Sequence, residues 1–226
     1  MAIVLETTAT FSDGSADTII TVTKPSAAVE TDVLVAWMEC SSTASHSAPG
    51  GTSWVQVDQS NINNRNHSLW YLVLGAGEPS DWTFTLSASQ GGRYSWCGRF
   101  SGVDNSTPSD ATNSSDNATS QTTFTSSSIT TGNANAYIIQ TCILNGSASQ
   151  SSSDLAEILD TGGRIINGEI QTAAGASGTK DGNYSTTRHY NVFMWALKEA
   201  GAAAAGATPI PDHAGLFRKR AAIKRF

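Results

Sequence analysis

Short apolar runs separated by turn residues dominate the pattern of this chain. Nine windows, 18–23, 32–40, 54–59, 68–74, 82–87, 95–100, 136–144, 155–159 and 190–198, alternate apolar with polar positions or hold a short apolar core. Cores of four to eight residues are of strand length rather than helix length. Between them lie segments such as 47–53, 75–81 and 175–182, dense in Gly, Pro, Asn, Asp and Ser. These residues accept positive φ angles and form the local side-chain hydrogen bonds that turns need. With no helical periodicity, the pattern predicts an all-β, antiparallel β-sandwich of the jelly-roll kind. One stretch stands apart. Residues 105–131 are almost wholly Ser, Thr, Asn, Asp and Gln, with Phe124 and Ile129 as isolated apolar points, and predict a long surface loop that enters a strand near Gln121.

Composition sharpens this picture. The 226 residues include 39% hydrophobic and only 14% charged side chains, with 20 Gly and six Trp, which is the make-up of a folded β protein and not of a disordered chain. No mid-chain linker interrupts 1–200, so the pattern predicts one sandwich domain there. The longest apolar runs, such as 33–38, fall far short of the roughly 18 residues that cross a bilayer. The start, Met1-Ala-Ile-Val-Leu-Glu6, has no basic stretch and meets a carboxylate after four apolar residues, so no secretory signal is expected in it. Cys40, Cys97 and Cys142 each sit in a strand-like run; buried free thiols are expected, the alternatives being one pair or an intermolecular bridge.

Charge is unevenly distributed. The chain holds 13 basic and 19 acidic residues, and residues 201–226 account for five of the former and one of the latter, which leaves eight against 18 in 1–200. The small residues and two prolines of 201–211 read as a linker with no packing face. Beyond it, residues 212–226 form a basic arm studded with apolar side chains. Leu216, Phe217, Ile223 and Phe226 alternate irregularly with Arg218, Lys219, Arg220, Lys224 and Arg225. Helical amphipathicity is poor across this stretch, so an extended arm is an equal reading. The nine residues are the candidate anchor to an acidic protein surface; a solvated tail with no partner, and contact with nucleic acid through neutralised phosphates, rank behind it.

Several segments, in order, resemble a β-sandwich domain that recurs in tailed bacteriophages and prophages. They are Glu30-Thr-Asp-Val-Leu-Val-Ala-Trp37, Pro49-Gly-Gly-Thr-Ser-Trp-Val-Gln-Val57, the paired runs around Gly75-Ala-Gly-Glu-Pro-Ser-Asp81, Phe100-Ser-Gly-Val-Asp-Asn-Ser-Thr-Pro108 and Asn191-Val-Phe-Met-Trp-Ala-Leu-Lys198. The likeness spans 30–198, with departures at 41–47 and at the basic arm. It implies a concanavalin-like or jelly-roll sandwich in a virion component such as a capsid decoration protein, head fibre or tail accessory protein. Its motifs are packing and turn signatures and carry no catalytic residues.

A serine hydrolase is disfavoured because no Gly-x-Ser-x-Gly occurs. His46, His67, His189 and His213 lack metal-ligand spacing and read as surface or strand-edge residues. Glu157, Asp160 and Glu169 are the carboxylates that folding could pair for glycoside hydrolysis. Trp54, Trp70, Tyr71, Trp82, Tyr94, Trp96 and Trp195 are either core or a sugar-stacking platform; since neighbours such as Trp70 and Tyr71 point to opposite faces of a strand, one of each pair is expected to face a partner or solvent. The reading is therefore a non-enzymatic virion structural protein with no cofactor and no metal. It docks on the major capsid protein or another virion protein, possesses no membrane segment, and forms homo-oligomers, for which a trimer suits the class. The alternative is the carbohydrate-binding module of a phage fibre or tail, with a glycan as partner.

Overall fold

Residues 2–201, apart from the side chain of Ala118, are described by a computed structural model. They form sixteen strands, and no helix occurs among them. The first eight are β1 (Val4–Asp13), β2 (Asp17–Thr23), β3 (Val33–Cys40), β4 (His46–Ser47), β5 (Val55–Ile62), β6 (Arg65–Val73), β7 (Asp81–Gln90) and β8 (Arg93–Ser101). One sheet has the order β1-β8-β3-β6-β5, and a second, β2-β7-β4, covers its outer face. The ribbon formed by β1 with β8 continues, past short breaks, as β2 with β7. A two-stranded ribbon that starts in one sheet and finishes in the other is the winding of a jelly roll.

The second eight strands repeat this plan. They are β9 (Ser109–Ser126), β10 (Thr130–Thr131), β11 (Ala136–Leu144), β12 (Gln150–Ser153), β13 (Ala156–Thr161), β14 (Arg164–Gln171), β15 (Gly175–Ala176) and β16 (Lys180–Leu197). Their sheet runs β9-β16-β11-β14-β13, and the early part of β16 pairs with β12 just as β7 pairs with β4. Even the irregularities correspond. The first roll slips register between Leu5 and Thr7 and between Gln56 and Asp58; the second slips between Ala196 and Leu197 and between Glu157 and Leu159, at the matching places in the ladders. A bulge re-aims side chains and is kept for that reason, so two coincident bulges mark one architecture used twice. Positions can thus be compared directly. Ala36, flanked by Trp70 and Cys97, corresponds to Gln140, flanked by Asn167 and Met194.

The two five-stranded arrays pack face to face. Val33, Val35, Trp37, Leu69, Trp96 and Phe100 of the first roll share one apolar cluster with Ile139, Ile143, Ile166, Phe193, Trp195 and Leu197 of the second. Each array also buries its opposite face. In the first roll, Leu34, Met38, Trp70 and Leu72 pack on Ile20, Val22, Trp82 and Phe84; in the second, Cys142, Leu144, Ile165 and Val192 pack with Phe124, Tyr184 and Tyr190. At the central seam Tyr71 stacks on Trp195 at 5.7 Å. Their counterparts by register are Gly168 and Gly98. Large residues at one pair of positions are thus matched by glycines at the equivalent pair, so the seam is filled without symmetry.

Each of the nine predicted windows falls on a strand, five of them overrunning it by one residue, and the fold is an antiparallel all-β sandwich. Two expectations need correction. The polar stretch 105–131 is not a loop: most of it is β9, eighteen residues long and paired along β16. Its Ser and Thr side chains suit a half-exposed strand once a partner strand supplies the backbone bonds, so tertiary pairing overrides the polar pattern. The sandwich is also two fused rolls, with β1, β12 and β14, and the two-residue β4, β10 and β15, as strands the pattern did not mark. The linker 202–211 and the arm 212–226 lie outside the described residues.

A Cβ added at Gly98 would press on the Trp96 ring, whose Cζ2 lies at 2.8 Å, and on Leu5 Cδ1 at 3.1 Å. Gly98→Ala should therefore cost about 1–3 kcal/mol through overpacking. Gly50→Ala, with no atom within 4 Å, should stay within about 0.5 kcal/mol. Trp195→Ala, at a fully buried site, should cost about 3–5 kcal/mol. Urea unfolding of the three variants checks the ranking; equal midpoints would remove the seam from its central place.

Candidate functional site

The residues that carried candidate chemistry are mostly spent on packing. All six Trp are buried, at 6% exposure or less, and no aromatic residue among the described ones falls in the exposed class. Trp54, Trp82, Trp70 and Phe84 form an edge-to-face group between the sheets of the first roll. Trp70 and Tyr71 do point to opposite faces, but both faces are core. The sugar-stacking platform is therefore not formed by these side chains. The free thiols Cys40, Cys97 and Cys142 are buried as expected.

Two histidines expected at the surface are inside. Trp37 Nε1 donates to His67 Nδ1 at 3.1 Å, which fixes Nε2 as the protonated nitrogen and donor to Asn191 Oδ1 at 2.6 Å. The ring also stacks on Phe193 with centroids 4.0 Å apart. His67 thus ties the first roll to the second. His46 lies within the first roll, its Nδ1 2.6 Å from Ser68 Oγ and its Nε2 3.4 Å from Cys40 Sγ. Desolvation lowers the pKa of His46 to about 4 and that of His67 to about 3. Beside them Glu39, fully buried, receives Arg164 Nε at 2.6 Å and has Arg65 at 3.7 Å, while the Arg164 guanidinium covers the Tyr94 ring. Burial raises the Glu39 pKa, with the two guanidinium groups opposing it. A Cys-His-Ser chain and a Glu-Arg pair look catalytic on paper, but here they are buried polar contacts, with both histidines held neutral and Glu39 Oε2 left with only its 3.7 Å ion pair to Arg65.

Each of the three carboxylates is held by a local partner. Asp160 Oδ2 accepts the backbone N–H of Gln150, Glu157 Oε2 accepts the side-chain amide of Gln150, and Glu169 pairs with Lys180 at 3.0 Å. They belong to a different arrangement, which the outer face of the second roll builds. Where the first roll has Ala36, Trp70, His46, Val22, Leu72 and Trp82, corresponding positions of the second hold Gln140, Asn167, Gln150, Ser126, Glu169 and Lys180. Asn167 Nδ2 donates to Gln140 Oε1 at 3.0 Å and to Gln150 Oε1 at 2.9 Å; Gln140 Nε2 donates to Ser126 Oγ at 2.9 Å and to the Lys180 carbonyl at 3.1 Å. A mostly apolar layer in one roll is a hydrogen-bonded layer in the other.

This polar layer opens at one end. Glu169, Gln171, Lys180 and the turn 172–177 line a depression of about 320 Å³. Polar side chains and the backbone of a turn meet there around free space. Sequence reading marked Glu169 but assigned nothing to Gln171 or Lys180; the signal lies in comparing the two rolls, which only the register makes possible. The anchor residues Leu216, Phe217, Arg218, Lys219, Arg220, Ile223, Lys224, Arg225 and Phe226, like His213, lie outside the described residues. No family model, curated protein or solved structure matches the chain.

Both buried histidines have folded-state pKa values below the unfolded value near 6.5. The neutral rings are favoured by folding, so this stabilisation is complete above pH 6.5 and is lost as pH falls from there toward about 4 for His46 and about 3 for His67. Each should contribute up to about 1.4 kcal/mol per pH unit to the slope of unfolding free energy in that window. Urea titrations between pH 7 and 4.5 should show stability falling with acid, and His46→Gln should flatten the slope by about one proton.

Proposed function

We propose that the protein is a non-enzymatic structural component of a tailed-phage virion, a decoration or cement protein held on the major capsid protein or another virion protein by its basic, apolar arm. One observation carries this reading. The described surface has little apolar area to offer a partner: its exposed large hydrophobics are Val4, Val29, Val55 and Ile170, on separate elements. Stable docking needs apolar anchors that fill pockets. The arm has Leu216, Phe217, Ile223 and Phe226, and it has the charge to approach an acidic partner. The segments that resemble the phage domain support the assignment, since they fall in the strands and turns of the fused rolls. A rigid, doubly buried body also suits a mechanical task, where many weak contacts by repeated copies sum to a large total.

Arm docking predicts that deletion of 212–226 strips the protein from purified particles while leaving its melting temperature unchanged. Phe217→Ala with Phe226→Ala should lower occupancy more than tenfold, and attachment should survive moderate salt because the anchors are apolar. Full occupancy by the truncated protein would sink the anchor, and absence of the intact protein from particles would sink the virion assignment. A steep loss of binding between low and moderate salt would transfer the arm to nucleic acid.

A further inference from the structure

Two Asn-Gly pairs occur in the chain, Asn145-Gly146 and Asn167-Gly168, and the fold treats them in opposite ways. An asparagine followed by glycine can close on itself, because the glycine nitrogen, with no side chain to hinder it, can attack the carbonyl carbon of the Asn side chain. Asn167 is shut off from this reaction. It is fully buried and its amide is held by Gln140 and Gln150. Gly168 lies inside β14, paired with Ile139 on one side and Ala156 on the other, and Tyr137 Cε1 is 2.7 Å from the point a Cβ would occupy.

Asn145 lies just past β11, half-buried, in a turn that leads to the exposed Ser147. The turn is anchored: Leu144 N–H donates to the Gly163 carbonyl at 2.9 Å, and Gly163 N–H to the Ala148 carbonyl at 3.0 Å. His189 N–H donates to Asn145 Oδ1 at 3.1 Å, so a donor already points at the oxygen that becomes negative when the carbonyl carbon is attacked. The Asn145 Nδ2 amide and the Gly146 N–H donate to no group among the described residues, which leaves leaving group and nucleophile uncommitted. Arg188 lies against Gly146, its Nε 2.7 Å from the point a Cβ would occupy. Its two terminal nitrogens hold it there by donating to the Thr187 and Ser147 carbonyls, each at 3.0 Å, and Nε is buried with no hydrogen-bond partner among the described residues. A fixed cation with an unmatched donor beside the reacting atoms stabilises an anionic intermediate.

We propose that Asn145-Gly146 is a self-modification site, at which the folded chain converts Asn145 to aspartate and isoaspartate without an enzyme. The Gly146 nitrogen bonds to Asn145 Cγ, the Cγ–Nδ2 bond breaks, and the Gly146 amide proton departs with Nδ2 as ammonia. Water then opens the cyclic imide. Attack at the side-chain carbonyl gives aspartate, and attack at the main-chain carbonyl gives isoaspartate, which adds one carbon to the main chain of the turn. Either product places a carboxylate beside Arg188. The site does not rest on the arm or on attachment to a particle.

The test incubates the full chain at neutral pH, folded and in guanidinium chloride, and follows the peptides carrying 145 and 167 by mass and by enzymatic methylation of isoaspartate. Unfolded, the two pairs should convert at similar rates, since their local chemistry is the same. Folded, Asn145 should convert at least about tenfold faster than Asn167, the effect of a directed donor against a closed strand. Arg188→Gln should slow Asn145 about threefold or more in the folded protein and leave the unfolded rate unchanged. Arg188→Lys, which keeps the charge but not the paired carbonyl bonds, should fall between the two. A folded-state rate for Asn145 no higher than that for Asn167 would overturn the proposal. So would an Arg188→Gln or Arg188→Lys protein that keeps its circular dichroism and converts faster than the unaltered chain.

Discussion

Burial of a β-sheet on both faces is the constraint from which the rest of this structure follows. All eight residues of β3 are buried, as are the last eight of β16. A backbone so enclosed has no water to turn to, so its N–H and C=O groups must be taken by neighbouring strands on both edges. β3 lies between β6 and β8, and β11 between β14 and β16. The same enclosure governs side chains. Glu39, His67, Gln140, Asn167 and Asn191 are fully or nearly fully buried, and each sits in a set of specific polar partners. An isolated buried charge or amide would cost several kcal/mol, so these groups occur in partnered sets, in which Glu39 keeps one oxygen without a hydrogen bond, 3.7 Å from Arg65. Three of those contacts, His67 to Asn191, Asn191 to Ser60 and Arg164 to Glu39, join one roll to the other and fix how the two sheets meet.

The rolls keep their ladders and bulges while their fillings diverge. Register leaves the backbone frame intact under almost any inward side chain that can be accommodated, because the ladder bonds do not depend on it. Ala36 and Gln140 occupy one place in the frame, as do Trp70 and Asn167, or Trp82 and Lys180. One filling is apolar and gains stability from area removed from water. The other is polar and gains geometry: each amide fixes its neighbour's orientation. A frame that tolerates both carries an apolar layer in one copy and a hydrogen-bonded layer in the other.

Strand windows were legible in the sequence because period-two patterning survives wherever one face is drier than the other. They were legible even for β3, whose continuous apolar run signals burial on both faces. The duplication was not legible. Corresponding positions are occupied by residues as unlike as Gly98 and Trp195, so no repeat of letters betrays the repeat of pairings. β9 was hidden for a related reason: its inward positions include Ser115 and Ser126, which bond to Ser127 and to the Lys180 carbonyl, so the strand has no apolar stripe. Histidines 46 and 67 were misplaced because a polar residue in a strand reads as outward unless its partners are known. Those partners, Ser68 and Cys40 for one, Trp37 and Asn191 for the other, include residues up to 124 positions away in the chain.

The position of β16 has a mechanical consequence. It is held along one edge by β9 and along the other by β11 and β12, and just past its end Ala200 bonds to the Gly102 carbonyl. A tensile load carried through residue 201 along the strand axis would enter β16 as shear. Antiparallel ladders loaded in shear resist with many bonds at once, whereas a ribbon peeled from its end yields them one at a time. The same eighteen residues that close the second roll thus form the strut through which any pull on the chain beyond them would be spread across the whole sheet.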